Sequence, residues 1–244
     1  MKYPLLIDRK FRLPRVWSNA ELRKFAHLFE GDIVNVSAWQ DADKEGHTYK
    51  SYFTKSASYT ITNYKSDARG FQGSDGEIFL DLTAPLPSEL EGRFDVVFNH
   101  TCLEHIFEVE KAFENLCRMS SDIVITVVPF LQQMHTDYGD FWRFTPTAIQ
   151  KLFAKNGMEV LYSSFNSDVS ASVYIFTVAT RNRSKWQREI NNLTPSGDVI
   201  TFEKPVMPDF YDPMVGSNAI FNPGDYIKAL SLRIKALFKR NHTK

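Results

Sequence analysis

The chain has 244 residues, of which 43% are apolar and 24% charged, and its formal net charge is zero. These are ordinary values for a soluble globular protein of one large domain, or of one domain with an appendage. A neutral balance offers no global field to attract nucleic acid, so no nucleic-acid partner is expected.

In chain order, the opening MKYPLLIDRKFRLPRVW carries charges throughout and does not read as a secretory signal. SNAELRKFAHLFEG (18–31) reads as a helix. Ser18 and Glu21 form a capping box, Leu22, Phe25, Leu28 and Phe29 make an apolar stripe, and Gly31 ends it. Strand-like runs follow at 32–38, 58–64, 77–82, 94–100 and 122–130. The last two are almost continuously apolar, as central strands covered on both faces are. Between them Val109, Ala112, Phe113 and Leu116 fall at helical spacing. TPTAIQKLFAKNG (145–157) is a second clear helix, capped by Thr145, with Pro146 in its first position and Gly157 at its end. The runs 158–166 and 170–181 are joined by too few residues for a parallel crossover, which predicts an antiparallel hairpin.

The order predicts an α/β fold within residues 1–182: a Rossmann-like, doubly wound, mostly parallel sheet with an antiparallel terminal hairpin. Residues 1–30 form its helical N-terminal segment. Residues 183–224, with many prolines and glycines and little periodicity, predict an extended arm, and 225–244 a basic amphipathic helix. On that helix Ile227, Leu230, Ile234, Leu237 and Phe238 share a face, with Lys228, Arg233, Lys235, Lys239 and Arg240 around it. Such a helix suits an anionic membrane interface, a partner's groove, or packing on its own domain. No run approaches the roughly 20 apolar residues of a bilayer span. Cys102 and Cys117 read as reduced core thiols. The expected location is the cytoplasm, with peripheral attachment at the inner membrane face through the tail.

GDIVNVSAWQDADKEG (31–46) departs from the pattern of its class. Open α/β sheets place a glycine-rich turn after the first strand, where a ligand can approach the backbone. Here the turn is Ser37-Ala38-Trp39-Gln40. A glycine-free turn is expected to serve if its dihedrals stay out of the left-handed region.

FDVVFNHTCLEHIFEVEKAFENLCR (94–118) resembles the fourth-strand motif of class I S-adenosylmethionine-dependent methyltransferases, through Phe94-Asp95, Leu103-Glu104-His105 and Arg118. DIVITVVPF (122–130) stands where that family has a fifth strand ending in proline. HTDYGDFWRFTP (135–146) is similar to a segment of members from bacterial surface-glycan gene clusters. The resemblance covers roughly residues 31–181. It implies S-adenosylmethionine as cofactor, with the backbone of Val36, Ser37 and Ala38 on its methionine part. It puts Asn63, with Asp67 nearby, where an acid usually holds the ribose. Asp81 and Leu82 fall at the adenine, and Asn99, His100 and Thr101 face the methionine moiety. Asp41 and Asp43 are candidates for the cofactor's positive end.

For a hydroxyl acceptor, methyl transfer needs alignment and a general base. His135 is the first candidate base and His105 the second; the alternatives are a loop histidine stacked on Tyr138 or Trp142, and a residue that merely holds its loop. Asp140, Trp142 and Arg143 are candidate substrate-binding residues. Arg143 suits an anionic acceptor, or an ion pair with Asp140 or Glu104. Trp142 and Phe144 suit a sugar-stacking platform, or core. His135, Asp137 and Asp140 sketch a divalent-metal site, but three polar residues in one loop are more often merely solvated, and no metal is expected. The resemblance implies O-methylation of a surface-glycan sugar or its lipid-linked precursor. The glycine-free turn and Asn63 leave open a non-catalytic scaffold in the same pathway.

Overall fold

The computed structural model describes residues 10–65, 70–135, 139–166, 171–202 and 231. Asp67, Asp137, Tyr138 and the tail expected as a basic helix, Ser231 apart, lie outside them. Eight strands form one sheet: β1 (Glu30–Val36), β2 (Lys55–Asn63), β3 (Glu77–Phe79), β4 (Phe94–His100), β5 (Ser120–Leu131), β6 (Glu159–Phe165), β7 (Val173–Thr180) and β8 (Asp198–Val199), in the order β3-β2-β1-β4-β5-β7-β6-β8. β1 to β5 are mutually parallel. β7 inserts between β5 and β6, antiparallel to both. The expected hairpin is therefore present but is not the edge. The short β8 pairs Val199 with Ser164 and Asp198 with Phe165 beyond it.

Each face of the sheet carries its own core. On one side α2 (Val109–Met119) and α3 (Pro146–Lys155) bury Ala112, Phe113, Leu116 and Phe153 against Val97, Val124 and Ile175. Thr145 caps α3 by accepting from the Ala148 amide, with Pro146 at its first position. On the other side α1 (Arg12–Ala26) and α4 (Arg183–Asn191) bury Trp17, Phe25 and Ile190 against Phe98, Ile125 and Phe176.

Two expectations change here. The first helix begins at Arg12, not Ser18, so Ser18 and Glu21 are interior residues and form no capping box. Pro14 falls in the first turn, where a missing N–H loses no helical bond, and Leu13, Val16 and Trp17 extend the apolar stripe. Glu21 is buried and accepts from Tyr162 and Ser164 at 2.7 and 3.0 Å, and also from the Ser196 amide. Gly31 belongs to β1: its φ is +90°, and a Cβ there would meet Asp95 Oδ2 at 2.0 Å. The second change is α4, which occupies the start of the expected extended arm. Asn182 caps it, Ile190 is buried, and Trp186 packs edge-on to Phe29 while its indole donates to Asp122 at 2.9 Å. Trp186, Ile190 and Leu193 are too few apolar residues to stand out in a polar stretch.

Candidate functional site

Six non-glycine residues have positive φ among the described residues: Ser37, Trp39, Asp41, Lys44, Lys65 and Thr101. All six sit in segments leaving the carboxyl ends of β1, β2 and β4, the edge where open α/β sheets bind ligands. The turn after β1 thus enters the left-handed region without glycine, contrary to expectation. Each such residue costs on the order of 1–2 kcal/mol, so other contacts must hold it. Asn63 supplies them. Its Oδ1 accepts from the Trp39 amide at 2.6 Å, and its Nδ2 donates to the Trp39 carbonyl at 3.1 Å and to Glu77 Oε1 at 2.6 Å. The expected ribose contact is occupied as a clamp.

The neighbouring acids are occupied too. Asp41 accepts from Asn35, Tyr59 and the Lys50 amide at 2.7, 2.7 and 2.9 Å. Asp43, buried, accepts from the amides of Glu45 and His47 at 2.7 and 2.9 Å and from the Tyr52 hydroxyl, with Arg23 at 3.4 Å. Burial raises its carboxyl, but Tyr52 and these amides outweigh that and hold it below the usual range. Neither acid faces an open site. The Ala38 amide donates to the Thr62 carbonyl at 3.2 Å, and the Val36 carbonyl accepts from Asn99 Nδ2 at 3.0 Å. At β3, Asp81 Oδ1 accepts from the amide and hydroxyl of Thr83 at 2.8 and 2.7 Å. The Leu82 side chain is core, and its carbonyl accepts from Asn115 at 2.8 Å.

At the end of β4 a closed relay ties the sheet to α1. Arg15 Nη2 donates to Thr101 Oγ1 at 2.9 Å, and Thr101 lies 3.1 Å from His100 Nδ1. His100 Nε2 lies 2.8 Å from Ser18 Oγ, which donates to the Arg15 carbonyl at 3.0 Å. The relay closes if Nε2 carries the proton and Nδ1 accepts from Thr101. Burial, then Arg15, pushes the His100 pKa well down, which suits that neutral form. His100 thus serves as a strut between β4 and α1. Next to it, Asn99 Oδ1 is buried with no hydrogen-bond partner among the described residues. The Cys102 thiol meets the side chains of Ser37 and Asn99, and burial pushes it up to about 11.

Beyond β4, Leu103-Glu104-His105 forms one short 3-10 turn facing the loop after β5. The Glu104 carbonyl accepts from the amides of Phe141 and Trp142 at 2.8 and 3.2 Å. The Glu104 side chain is only 1% exposed, its Oε2 has no hydrogen-bond partner among the described residues, and burial pushes its carboxyl up to about 7. His105 Nδ1 donates to the Gly139 carbonyl at 2.5 Å. Burial, only partly opposed by that bond, lowers its pKa. His135 stands 4.9 Å from His105, ring centre to ring centre, nearly perpendicular. The two candidate bases are thus brought together. A second ring, Phe11, packs edge-on against His135 with centroids 5.5 Å apart.

Arg143 takes the ion-pair alternative. It binds Asp140 at 2.5 and 2.8 Å and reaches the carbonyls of Gln132, Gln133 and Trp142 at 3.0, 3.1 and 2.7 Å. That guanidinium, opposed by burial, holds the Asp140 carboxyl down at about 2. Arg143 and Asp140 brace the loop from within. Trp142 donates to the Ile106 and Phe107 carbonyls at 3.0 and 3.2 Å and remains 37% exposed beside Phe107, whereas Phe144 is core. Arg15 and the Glu104 carboxyl are the parts that sequence reading missed. Only the apolar spacing of Leu13, Val16 and Trp17 could have brought Arg15 into a helix.

No protein-family profile matches the chain, and no curated protein sequence does. Solved structures do. A Bacillus halodurans protein assigned as a methyltransferase superposes with a TM-score of 0.50 at 11% identity, over 66% of this chain and 97% of its own. The chain shares that protein's fold. Magnesium protoporphyrin IX methyltransferase from Synechocystis, crystallised with S-adenosylhomocysteine, gives a TM-score of 0.49 at 9% identity, over 75% of this chain and 90% of its own. No described helix is long and apolar enough to cross a membrane.

Proposed function

We propose that the chain is an S-adenosylmethionine-dependent methyltransferase that acts on a hydroxyl of a small-molecule acceptor. A sugar of a bacterial surface glycan, free or lipid-linked, is the acceptor that the WRFTP segment suggests. The observation that carries the reading is the strain: every described non-glycine residue with positive φ lies at the ligand-binding edge of the sheet. Strain of this kind collects at functional sites, because elsewhere a glycine would relieve it.

Among the residues present, Asn99 and Asp81 fit the cofactor best. Asn99 Oδ1 is a buried acceptor with no partner among the described residues, at the junction of β1 and β4. Asp81 Oδ1 is fixed by Thr83, which orients the carboxylate at the end of β3. When bound, S-adenosylmethionine supplies a methyl group on a sulfonium leaving group. The chain's part is to align the acceptor oxygen and take its proton. His105 and His135 stand where that proton can go. With Nδ1 of His105 donating to Gly139, its Nε2 is the basic atom.

A second reading has its own support. Ala38, Trp39 and Asp41 spend their amides inside the turn, on Thr62, Asn63 and Ala38. A methyltransferase fold that no longer takes the cofactor, serving as a scaffold, would look like this. Calorimetry with S-adenosylhomocysteine separates the two readings. The enzyme reading expects binding, weakened by about 1–3 kcal/mol in Asp81→Ala, the range for removing one partner of a buried polar contact. No binding by the parent chain would establish the scaffold reading.

A further inference from the structure

Glu104 presents an acceptor that no described residue uses. Its carboxyl is buried, and neither Arg15 nor Arg143, both of which act on it electrostatically, donates to Oε2. Buried polar atoms without partners are rare in folded proteins, and an absent ion is one standard reason for them. Two imidazoles converge on the same point. One ligating atom each from Glu104, His105 and His135 can be chosen so that all lie within 4.8 Å of one another.

Both rings are oriented from behind. His105 Nδ1 is committed to the Gly139 carbonyl, and its Nε2 lies 3.8 Å from Glu104 Oε1. Gly139 itself has φ +98°, and a Cβ there would meet the Phe141 ring at 2.8 Å, so the carbonyl's position depends on glycine. His135 Nδ1 faces Asp140 Oδ2 at 3.5 Å, and Asp140 also accepts from the His135 amide at 2.8 Å. A carbonyl or carboxylate behind the second ring nitrogen is the usual support of a metal-bound imidazole.

We propose that Glu104, His105 and His135 bind a divalent transition-metal ion of the zinc type, through the carboxylate and the two Nε2 atoms. Two imidazoles and one carboxylate suit zinc, cobalt or iron, whereas magnesium prefers oxygen donors throughout. Tetrahedral zinc with these ligands needs donor atoms about 3.3 Å apart, so the set must close from its present spacing. His135 lies on the partly exposed loop after β5, where a small shift is inexpensive. Three protein ligands leave a coordination position open. If the proposed methyl transfer holds, the metal would replace the imidazoles as the group that activates the acceptor hydroxyl, by lowering its pKa so that the proton leaves to solvent water; the binding itself does not depend on that activity.

The test uses the full chain, stripped with a chelator. Titration calorimetry with Zn2+, and the visible absorption of the Co2+ form, should both show one site with nitrogen ligands. Glu104→Gln, His105→Ala and the milder His135→Gln should each abolish the Co2+ band. Asp140→Asn should weaken Zn2+ by roughly 10- to 100-fold, as the loss of a supporting partner does. His47→Ala, in the loop after β1 and bonded to Asp43, should change nothing. Absence of Zn2+ binding, binding that survives in His105→Ala with His135→Gln, or Mg2+ bound in preference would each overturn the site. S-adenosylhomocysteine calorimetry on the metal-free chain is read separately, so failure of the metal site and failure of the methyltransferase reading remain distinct.

Discussion

Asn63→Ala tests whether one side chain holds the strained turn after β1. It removes two bonds to the Trp39 backbone, at 2.6 and 3.1 Å, and one to Glu77 at 2.6 Å. At about 1 kcal/mol net per bond the loss is about 3 kcal/mol. Relaxation of a left-handed residue on the freed turn returns about 1 kcal/mol, which leaves roughly 2. For a domain of this size that lowers Tm by roughly 4–8 °C in a circular-dichroism melt. Asn63→Asp restores the acid usual at this position in the resembled family, yet it should destabilise at least as much. The Trp39 carbonyl and the Glu77 carboxylate would then face an acceptor where they now meet a donor. Urea denaturation supplies the free energies. A change below about 0.5 kcal/mol in Asn63→Ala, or a stabilised Asn63→Asp, would refute the clamp and reopen Asn63 as a ribose ligand.

His135→Ala should abolish transfer while leaving S-adenosylhomocysteine affinity nearly intact, as loss of a base or metal ligand does; a collapse of both would make the residue part of the cofactor site. Asp43 is held below its usual range in the folded chain, so its contribution is complete above the unfolded pKa and is lost as pH falls through the folded one. Melts between about pH 5 and pH 3 should therefore drop more steeply for the parent than for Asp43→Asn, and parallel curves would contradict this. Deleting residues 225–244 should end co-sedimentation with anionic vesicles at low salt without lowering Tm, given about 1 kcal/mol per basic residue near such a surface; equal sedimentation of both chains would exclude the tail as the anchor.

The sequence by itself determined seven of the eight described strands, the parallel run, the antiparallel return and both ends of α3. These are local properties: apolar period, caps and loop length follow from neighbours within a few residues. The Leu-Glu-His and WRFTP segments were legible for the same reason. What surrounds them was not. Ser18 and Glu21 look like surface residues, and they are buried because partners far along the chain satisfy them. Arg15 reaches Thr101 across 86 positions, and Tyr162 reaches Glu21 across 141. The left-handed turn at Ser37 and Trp39 likewise runs against local preference, and it is held by Asn63 on the next strand. Backbone propensity and hydrophobic period are summed over a short window, whereas burial of a charge and strain in a turn are stabilised only when the sheet brings distant donors within about 3 Å. The tertiary structure alone therefore decided that Asn63 clamps, that Arg143 braces, and that Glu104 meets two histidines at one point.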